Sequence, residues 1–288
     1  MEPTVPDGAG GYNQAEANMT GQEFKGMIDI HTHILPGLDD GAHSWEEAMA
    51  MAQGAVKDGI AAVVATPHIY EDSGITPEEI REKARKLQDM LDSQEINLHV
   101  FPGAEVQLAV DLPDRIRDGR LQTLANAGRY LLVELPFGLL PVYTDEVLFE
   151  LQASGVIPII AHPERNESVQ KDPNLLHGMI RKGMLAQLTG GSLRGNFGSK
   201  VEYTAKLLLK HSLVQILASD GHRADRRRIL LSKASGVVAD LAGIETAQAM
   251  TSLNPRKITQ GIVFDPREPR EIRGLSGFVH TMTFRALR

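Results

Sequence analysis

The chain has 288 residues, 42% of them hydrophobic, enough to bury a large core without covalent staples. It holds no cysteine, which excludes disulfides, thiolate metal sites and a cysteine nucleophile together. A formal net charge of -7 argues against a general nucleic-acid binder, and no run reaches the roughly 18 apolar residues of a membrane span.

Residues 1–26 are rich in Gly, Glu and Asn and lack a hydrophobic signal core. They are expected to be a flexible extension or an artificial remnant, with a cytoplasmic protein as the default. Met27 to Ile30 is a short apolar run that ends in His31-Thr32-His33. Side-chain direction alternates with period two on extended backbone, so both imidazoles face one side and can reach one ion. In the loop that follows, Asp39 and Asp40 are adjacent, one suited to ligation and the other to capping the turn. Ser44-Trp45-Glu46-Glu47 has the form of a helix capping box, and Trp45, Met49 and Ala52 recur at helical spacing as a packing face.

The pattern then repeats. Ala61 to Ala65 runs into Thr66-Pro67-His68, and Thr76-Pro77-Glu78-Glu79 opens a second helix whose Arg81–Lys86 stretch reads as a solvated face. Asn97 to Phe101 leads to Glu105, Tyr130 to Val133 leads to Glu134, and Val156 to Ala161 leads to His162. Ala186 to Thr189 is a weaker strand candidate, and Gly190 to Gly195 reads as a turn at a rim rather than a phosphate loop. Val214 to Ser219 leads to Asp220-Gly221-His222 and an Arg-rich segment, and beyond Phe264 the pattern dissolves. Short, nearly continuous apolar runs separated by amphipathic stretches predict parallel strands linked by helices. One (β/α) barrel domain over 27–264 fits better than two domains, with 265–288 a loosely ordered tail.

Nine residues thus sit at strand ends or just beyond: His31, His33, Asp40, His68, Glu105, Glu134, His162, Asp220 and His222. A barrel gathers such positions at one end. Imidazole and carboxylate without thiolate suit Mn, Fe, Zn or Mg, and nine ligands exceed one ion's capacity. With three divalent ions, the four carboxylates leave roughly +2 for hydroxide and an anionic substrate. Arg165 could hold a phosphate oxygen, and the arginines after His222 add charge at the same rim. His43, His99, His177, His211 and His280 read as ordinary surface or core residues.

These residues carry a resemblance. The stretches Ile28 to Gly41, Ala65-Thr66-Pro67-His68, Gly103-Ala104-Glu105, Leu132-Val133-Glu134, Gly155 to Arg165, Gly191 to Gly198 and Ser219 to His222 resemble the polymerase-and-histidinol-phosphatase (PHP) superfamily. Within it, the chain is similar to the metal-dependent protein-tyrosine phosphatases encoded with bacterial capsule and exopolysaccharide genes. The resemblance implies a distorted seven-stranded barrel of the TIM-like type with three divalent ions, manganese first and iron, zinc or magnesium as alternatives. By family position, His31, His33, Glu105 and Asp220 would hold one ion, Glu105, Glu134 and His162 a second, and Asp40, His68 and His222 a third. Family position also prefers Asp40 over Asp39, puts Arg165 and Arg194 on the substrate, and gives Arg165 and Arg227 a part in the reaction.

The expected chemistry is attack of a metal-bridging hydroxide on a protein phosphotyrosine, which needs no cysteine. The implied partner is the tyrosine-rich tail of a bacterial tyrosine kinase controlling capsule assembly, with no nucleic acid and no membrane span. The sequence leaves the oligomeric state open. Alternatives are a small-molecule phosphatase of the histidinol-phosphate type and a non-catalytic PHP binding module. An amidohydrolase would need a strand-end lysine where Glu134 stands.

Overall fold

The computed structural model describes residues 25–273. The rest of the expected N-terminal extension, the tail beyond residue 273 and His280 lie outside the described residues. Nine strands are described: β1 Met27–Thr32, β2 Ile60–Ala65, β3 His68–Ile69, β4 His99–Pro102, β5 Glu105–Gln107, β6 Tyr130–Glu134, β7 Ile157–Ala161, β8 Leu185–Thr189 and β9 Ile216–Ala218. They form a sheet of three, β1-β2-β4, and a sheet of six, β3-β5-β6-β7-β8-β9. All the strand pairings are parallel. The protein is an α/β fold built on parallel sheets.

Every apolar run foreseen in the sequence lands on a strand, including the weaker one at β8. The count exceeds the expected seven because two of the runs are each followed by a further short strand, β3 and β5. Thr66-Pro67 separates β2 from β3, and Gly103-Ala104 separates β4 from β5. Proline offers no N–H to a ladder. At Gly103 an added Cβ would come within 2.6 Å of Val64 Cγ1, so the chain there tolerates no side chain.

The two sheets are joined at both margins. On one side the chain itself passes from sheet to sheet, from β2 to β3 through Thr66-Pro67 and from β4 to β5 through Gly103-Ala104. On the other, Thr32 bridges Gly221 in parallel, His33 N–H donates to Gly221 O at 2.8 Å, and Asp220 N–H donates to His31 O at 3.0 Å. Gly221 is required at that seam, since a Cβ would lie 2.9 Å from the backbone nitrogen of Ile229.

Helices cover the outside. Trp45–Lys57 starts at Ser44, whose side chain accepts from Glu47 N–H, and Pro77–Ser93 starts at Thr76, whose side chain accepts from Glu79 N–H. Both caps are as the sequence predicts, although the Glu47 carboxylate accepts from His43 N–H rather than from the cap residue. Met49 and Ala52 are buried and Trp45 packs partly against the same core. That larger core lies between strands and helices, whereas a smaller one, including Ile28, Val64, Leu132, Ile159 and Ala218, draws on both sheets and fills the space between them. Continuing the inner face of β6 and β9 with period two past Leu132 and Ala218 leads to Glu134 and Asp220. The polar cluster therefore caps the inner core at the C-terminal strand ends.

Past Phe264 the chain is held at several points through residue 273. Ile272 is buried and exchanges hydrogen bonds with the side chain of Asn174, while Arg270 N–H donates to His211 O at 2.9 Å.

Candidate metal centre

His31 and His33 leave β1 with their Nε2 atoms 3.2 Å apart. In each ring the other nitrogen is occupied. His31 Nδ1–H donates to Gln187 Oε1 on β8 at 2.9 Å, and His33 Nδ1–H donates to Asp39 Oδ2 at 2.6 Å. Fixing the proton on Nδ1 leaves Nε2 as a lone pair, the form that binds a metal. Glu105 Oε2 lies 3.0 Å from His31 Nε2 and 3.4 Å from His33 Nε2, and Asp220 Oδ1 is 3.6 Å from both. Ligand atoms each about 2.1 Å from one ion sit about 3.0 to 3.4 Å apart at octahedral or tetrahedral angles. The spacings among His31, His33 and Glu105 fall in that range, and Asp220 Oδ1 lies just outside it.

Glu105 is shared. Its Oε1 lies 2.9 Å from His162 Nε2, while its Oε2 is also 3.1 Å from His68 Nδ1. Glu134 is 3.6 Å from His162 Nε2 and 3.9 Å from His68 Nδ1. Asp40, two-thirds exposed, reaches 3.4 Å from His222 Nε2 and 3.8 Å from His68 Nε2. Donor atoms gather into three groups: His31, His33 and Glu105; His68, Glu105 and Glu134; and His33, Asp40, His68 and His222. All nine strand-end candidates converge. His68 stands between two groups, whereas family position gave it to one.

The residues present fit divalent cations on two counts. His68 Nδ1 and His222 Nε2 are buried without a hydrogen-bond partner, and such atoms are costly unless something else satisfies them. Every donor is also an imidazole nitrogen or a carboxylate oxygen, the set suited to borderline and hard ions.

The local field points the same way. Burial opposes ionisation of Glu105, yet the His31, His162 and His33 rings outweigh it and hold the carboxyl well below its usual range. Burial is likewise overcome at Asp220 by the Arg165 guanidinium and His31. At His33 burial is outweighed by hydrogen bonds to Asp220 and Asp39, which push the ring well above its usual value. Carboxylates that draw protons onto buried imidazoles draw cations by the same attraction. Burial and the Glu105 charge push Glu134 up to about 7, and burial beside His33 pushes His222 down to about 3.

Two arginines edge the cluster. Arg165 Nη2 is 2.6 Å from Asp220 Oδ2, and Arg227 Nη2 is 2.8 Å from Asp220 Oδ1. Both line a cavity of about 370 Å³ together with Asp40, His68, Glu134, His162 and His222. His162, Asp220 and Arg227 all have positive φ, at 29°, 54° and 48°, a conformation disfavoured for side chains with a Cβ. Such strain gathers where the surroundings force a side chain into a working position.

Arg194 is different. It is exposed at the end of the short helix Gly190–Leu193 and does not line the cavity. The chain turns through Gly195, at φ 78°, and brings Phe197 back instead, its ring 3.9 Å from Arg165 Cζ. Sequence reasoning missed Phe197, Gln187, Tyr70, Phe137 and the part played by Asp39. Gln187 carried a usable signal, since it alternates with Leu185 and Thr189 on one face of a strand. Of the histidines read as ordinary, His43 meets Arg223 at the surface, His99 packs edge-on against Phe101 at 4.3 Å, and His211 contacts Arg270.

Comparison with known proteins agrees. The family described as capsular polysaccharide synthesis, CpsB/CapC, matches residues 27–260. The tyrosine-protein phosphatase YwqE of Bacillus subtilis is 35% identical over 257 residues, covering 88% of this chain and all of the relative. Tyrosine-protein phosphatase CpsB of Streptococcus pneumoniae is 29% identical, covering 81% of this chain and 98% of its own. A solved structure from a study of YwqE and CpsB, described as metal-dependent tyrosine phosphatases, superposes with a TM-score of 0.81 at 34% identity, covering 86% of this chain and 100% of that one. The phosphotriesterase homology protein of Escherichia coli matches at a TM-score of 0.56 and 14% identity, covering 83% of this chain and 100% of its own, which speaks for the fold alone. The chain belongs to the CpsB/CapC family of capsular polysaccharide synthesis proteins.

Proposed function

We propose that this chain is a metal-dependent protein-tyrosine phosphatase. The observation that carries the reading is the meeting of nine imidazole and carboxylate side chains in one linked cluster, four of the imidazoles within 3.4 Å of Glu105, with two arginines at the edge. His31, His33, Glu105 and Asp220 would hold one cation, Glu105, Glu134 and His162 a second, and Asp40, His68 and His222 a third. His68 also stands close enough to Glu134 to serve the second. Divalent ions bound there supply Lewis acidity and make water a competent nucleophile near neutral pH. Manganese is our first choice for all three.

The protein's own groups do the rest. Arg165 and Arg227 bind and orient the phosphoryl oxygens, and Asp220 keeps both guanidinium groups at the wall. Gln187 and Asp39 fix which imidazole nitrogen faces the cations. Tyrosinate, with a pKa of about 10, leaves without a strong general acid. The natural substrate we infer is the phosphotyrosine tail of a bacterial tyrosine kinase in capsule or exopolysaccharide assembly, met in the cytoplasm. We also infer that β2 with β3 and β4 with β5 act as single runs, so that seven runs close into a distorted barrel over 27–264. The Thr32–Gly221 bridge supports that reading.

Removing metal with a strong chelator should abolish hydrolysis of a phosphotyrosyl peptide, and added manganese should restore it. Turnover that persists in chelator, with metal content confirmed as zero, would contradict the proposal.

A further inference from the structure

Part of the cavity wall is apolar, a feature that metal binding does not need. Tyr70, Leu135, Pro136 and Phe137 line it. Two of these rings are placed in the same way. Tyr70 stacks on His68 at 5.3 Å between centroids and 21° between planes, and Phe137 stacks on His162 at 5.9 Å and 14°. Each covers one face of an imidazole in the cation cluster, and each keeps substantial surface in solvent, 44% for Tyr70 and 56% for Phe137. Large aromatic rings left exposed beside a polar site mark a surface awaiting an apolar group.

Phe137 is also held by the segment that carries Arg165. Asn166 Nδ2 donates to Pro136 O at 2.6 Å and to Gly138 O at 3.2 Å, and Glu167 N–H donates to Phe137 O at 2.7 Å. The spacing between the arginine and the ring is thus set by a short, hydrogen-bonded stretch. Such preorganisation lowers the cost of ordering when a rigid ligand spans the two.

We propose that Tyr70 and Phe137 form the aryl-binding wall of the site, so that a phosphoryl group on Arg165 and Arg227 places its attached ring against them and an alkyl phosphate leaves the wall wet. This rests on the phosphatase reading and deepens it by assigning the residues that select phosphotyrosine. Ring-on-ring contact contributes roughly 2- to 10-fold in affinity for each aromatic partner.

The test is calorimetric binding of phenylphosphonate and methylphosphonate to the full chain, with metal content measured in every sample. Phe137→Ala and Tyr70→Ala should each weaken phenylphosphonate roughly 2- to 10-fold while methylphosphonate moves less than about twofold. Phe137→Tyr and Tyr70→Phe should restore the preference. Phe137→Ala carries the test if Tyr70→Ala disturbs His68, because Phe137 is the more exposed. Equal weakening of both phosphonates, or no preference for the phenyl compound in the unaltered protein, would overturn the aryl wall. Failure of the underlying reading looks different: the unaltered protein would leave a phosphotyrosyl peptide intact, and Arg165→Ala would change the affinity of neither phosphonate.

Discussion

His31 and His33 owe their orientation to neighbours outside the converging nine, Gln187 and Asp39. Asp39 accepts from His33 Nδ1–H, His68 N–H and Gly41 N–H, and the His33 contact holds its carboxyl down at about 2 against the effect of burial. Asp39→Ala should therefore weaken metal affinity about 10- to 100-fold with the fold intact, as read by metal titration beside circular dichroism. An unchanged affinity would mean that His33 is oriented by its backbone alone. Phe197 has the same standing toward Arg165. Arg165→Ala should cut turnover far more than metal content, and Phe197→Ala should raise KM for a phosphotyrosyl peptide about 2- to 30-fold, the range of a cation–π contact, with Phe197→Tyr near normal. Loss of bound metal in Arg165→Ala would make that arginine a structural residue. The convergence of the nine residues was legible because, Asp40 apart, each sits at or just past the end of an apolar run. Asp39, Gln187 and Phe197 were not, because their roles depend on which strand or loop lies opposite, and chain order does not carry that. Arg194 shows the converse, a residue assigned by position whose side chain the turn at Gly195 sends to solvent.

Strands and helices were readable from period and caps, since burial on both faces demands continuous apolar runs and helix starts need acceptors for free N–H groups. The breaks at Pro67 and Gly103 were not readable as places where pairing resumes, because a strand as short as His68–Ile69 has no periodicity of its own. The end of the expected domain is also tied down: Tyr130, fully buried at the start of β6, donates its hydroxyl to Ile262 O at 2.9 Å and ties the sheet to the chain beyond the last helix. Burial pushes this hydroxyl up to about 12. The folded state thus holds the phenol proton more tightly than the unfolded chain, whose pKa is about 10. Its contribution is complete below pH 10 and is lost as pH rises toward 12. Tyr130→Phe should cost about 1 kcal/mol at neutral pH and flatten that alkaline loss, as measured by urea melts across the range. An unaltered alkaline slope would place the sensitive group elsewhere.

At the scale of the molecule, two parallel sheets are joined at their C-terminal margins, and the join is where the cluster forms. The bridge between Thr32 and Gly221 brings His31 and His33, at the end of the first strand, against Asp220 and His222, which follow the last. Residues almost two hundred positions apart thereby become neighbours, which is why a single HxH motif said little and the recurrence of imidazole and carboxylate residues at successive strand ends said much. The overall negative charge of the chain coexists with a local excess of arginine at the rim, Arg165 and Arg227 facing the cavity. That contrast fits a site which admits one phosphoryl group rather than a polyanion. The most direct test is an anomalous-difference map from crystals of active protein grown with manganese. Three peaks, each within bonding distance of the His31, Glu134 and His222 neighbourhoods and two of them sharing Glu105, are the predicted result. A map without peaks among these side chains, in crystals whose dissolved protein hydrolyses phosphotyrosine, would contradict the account.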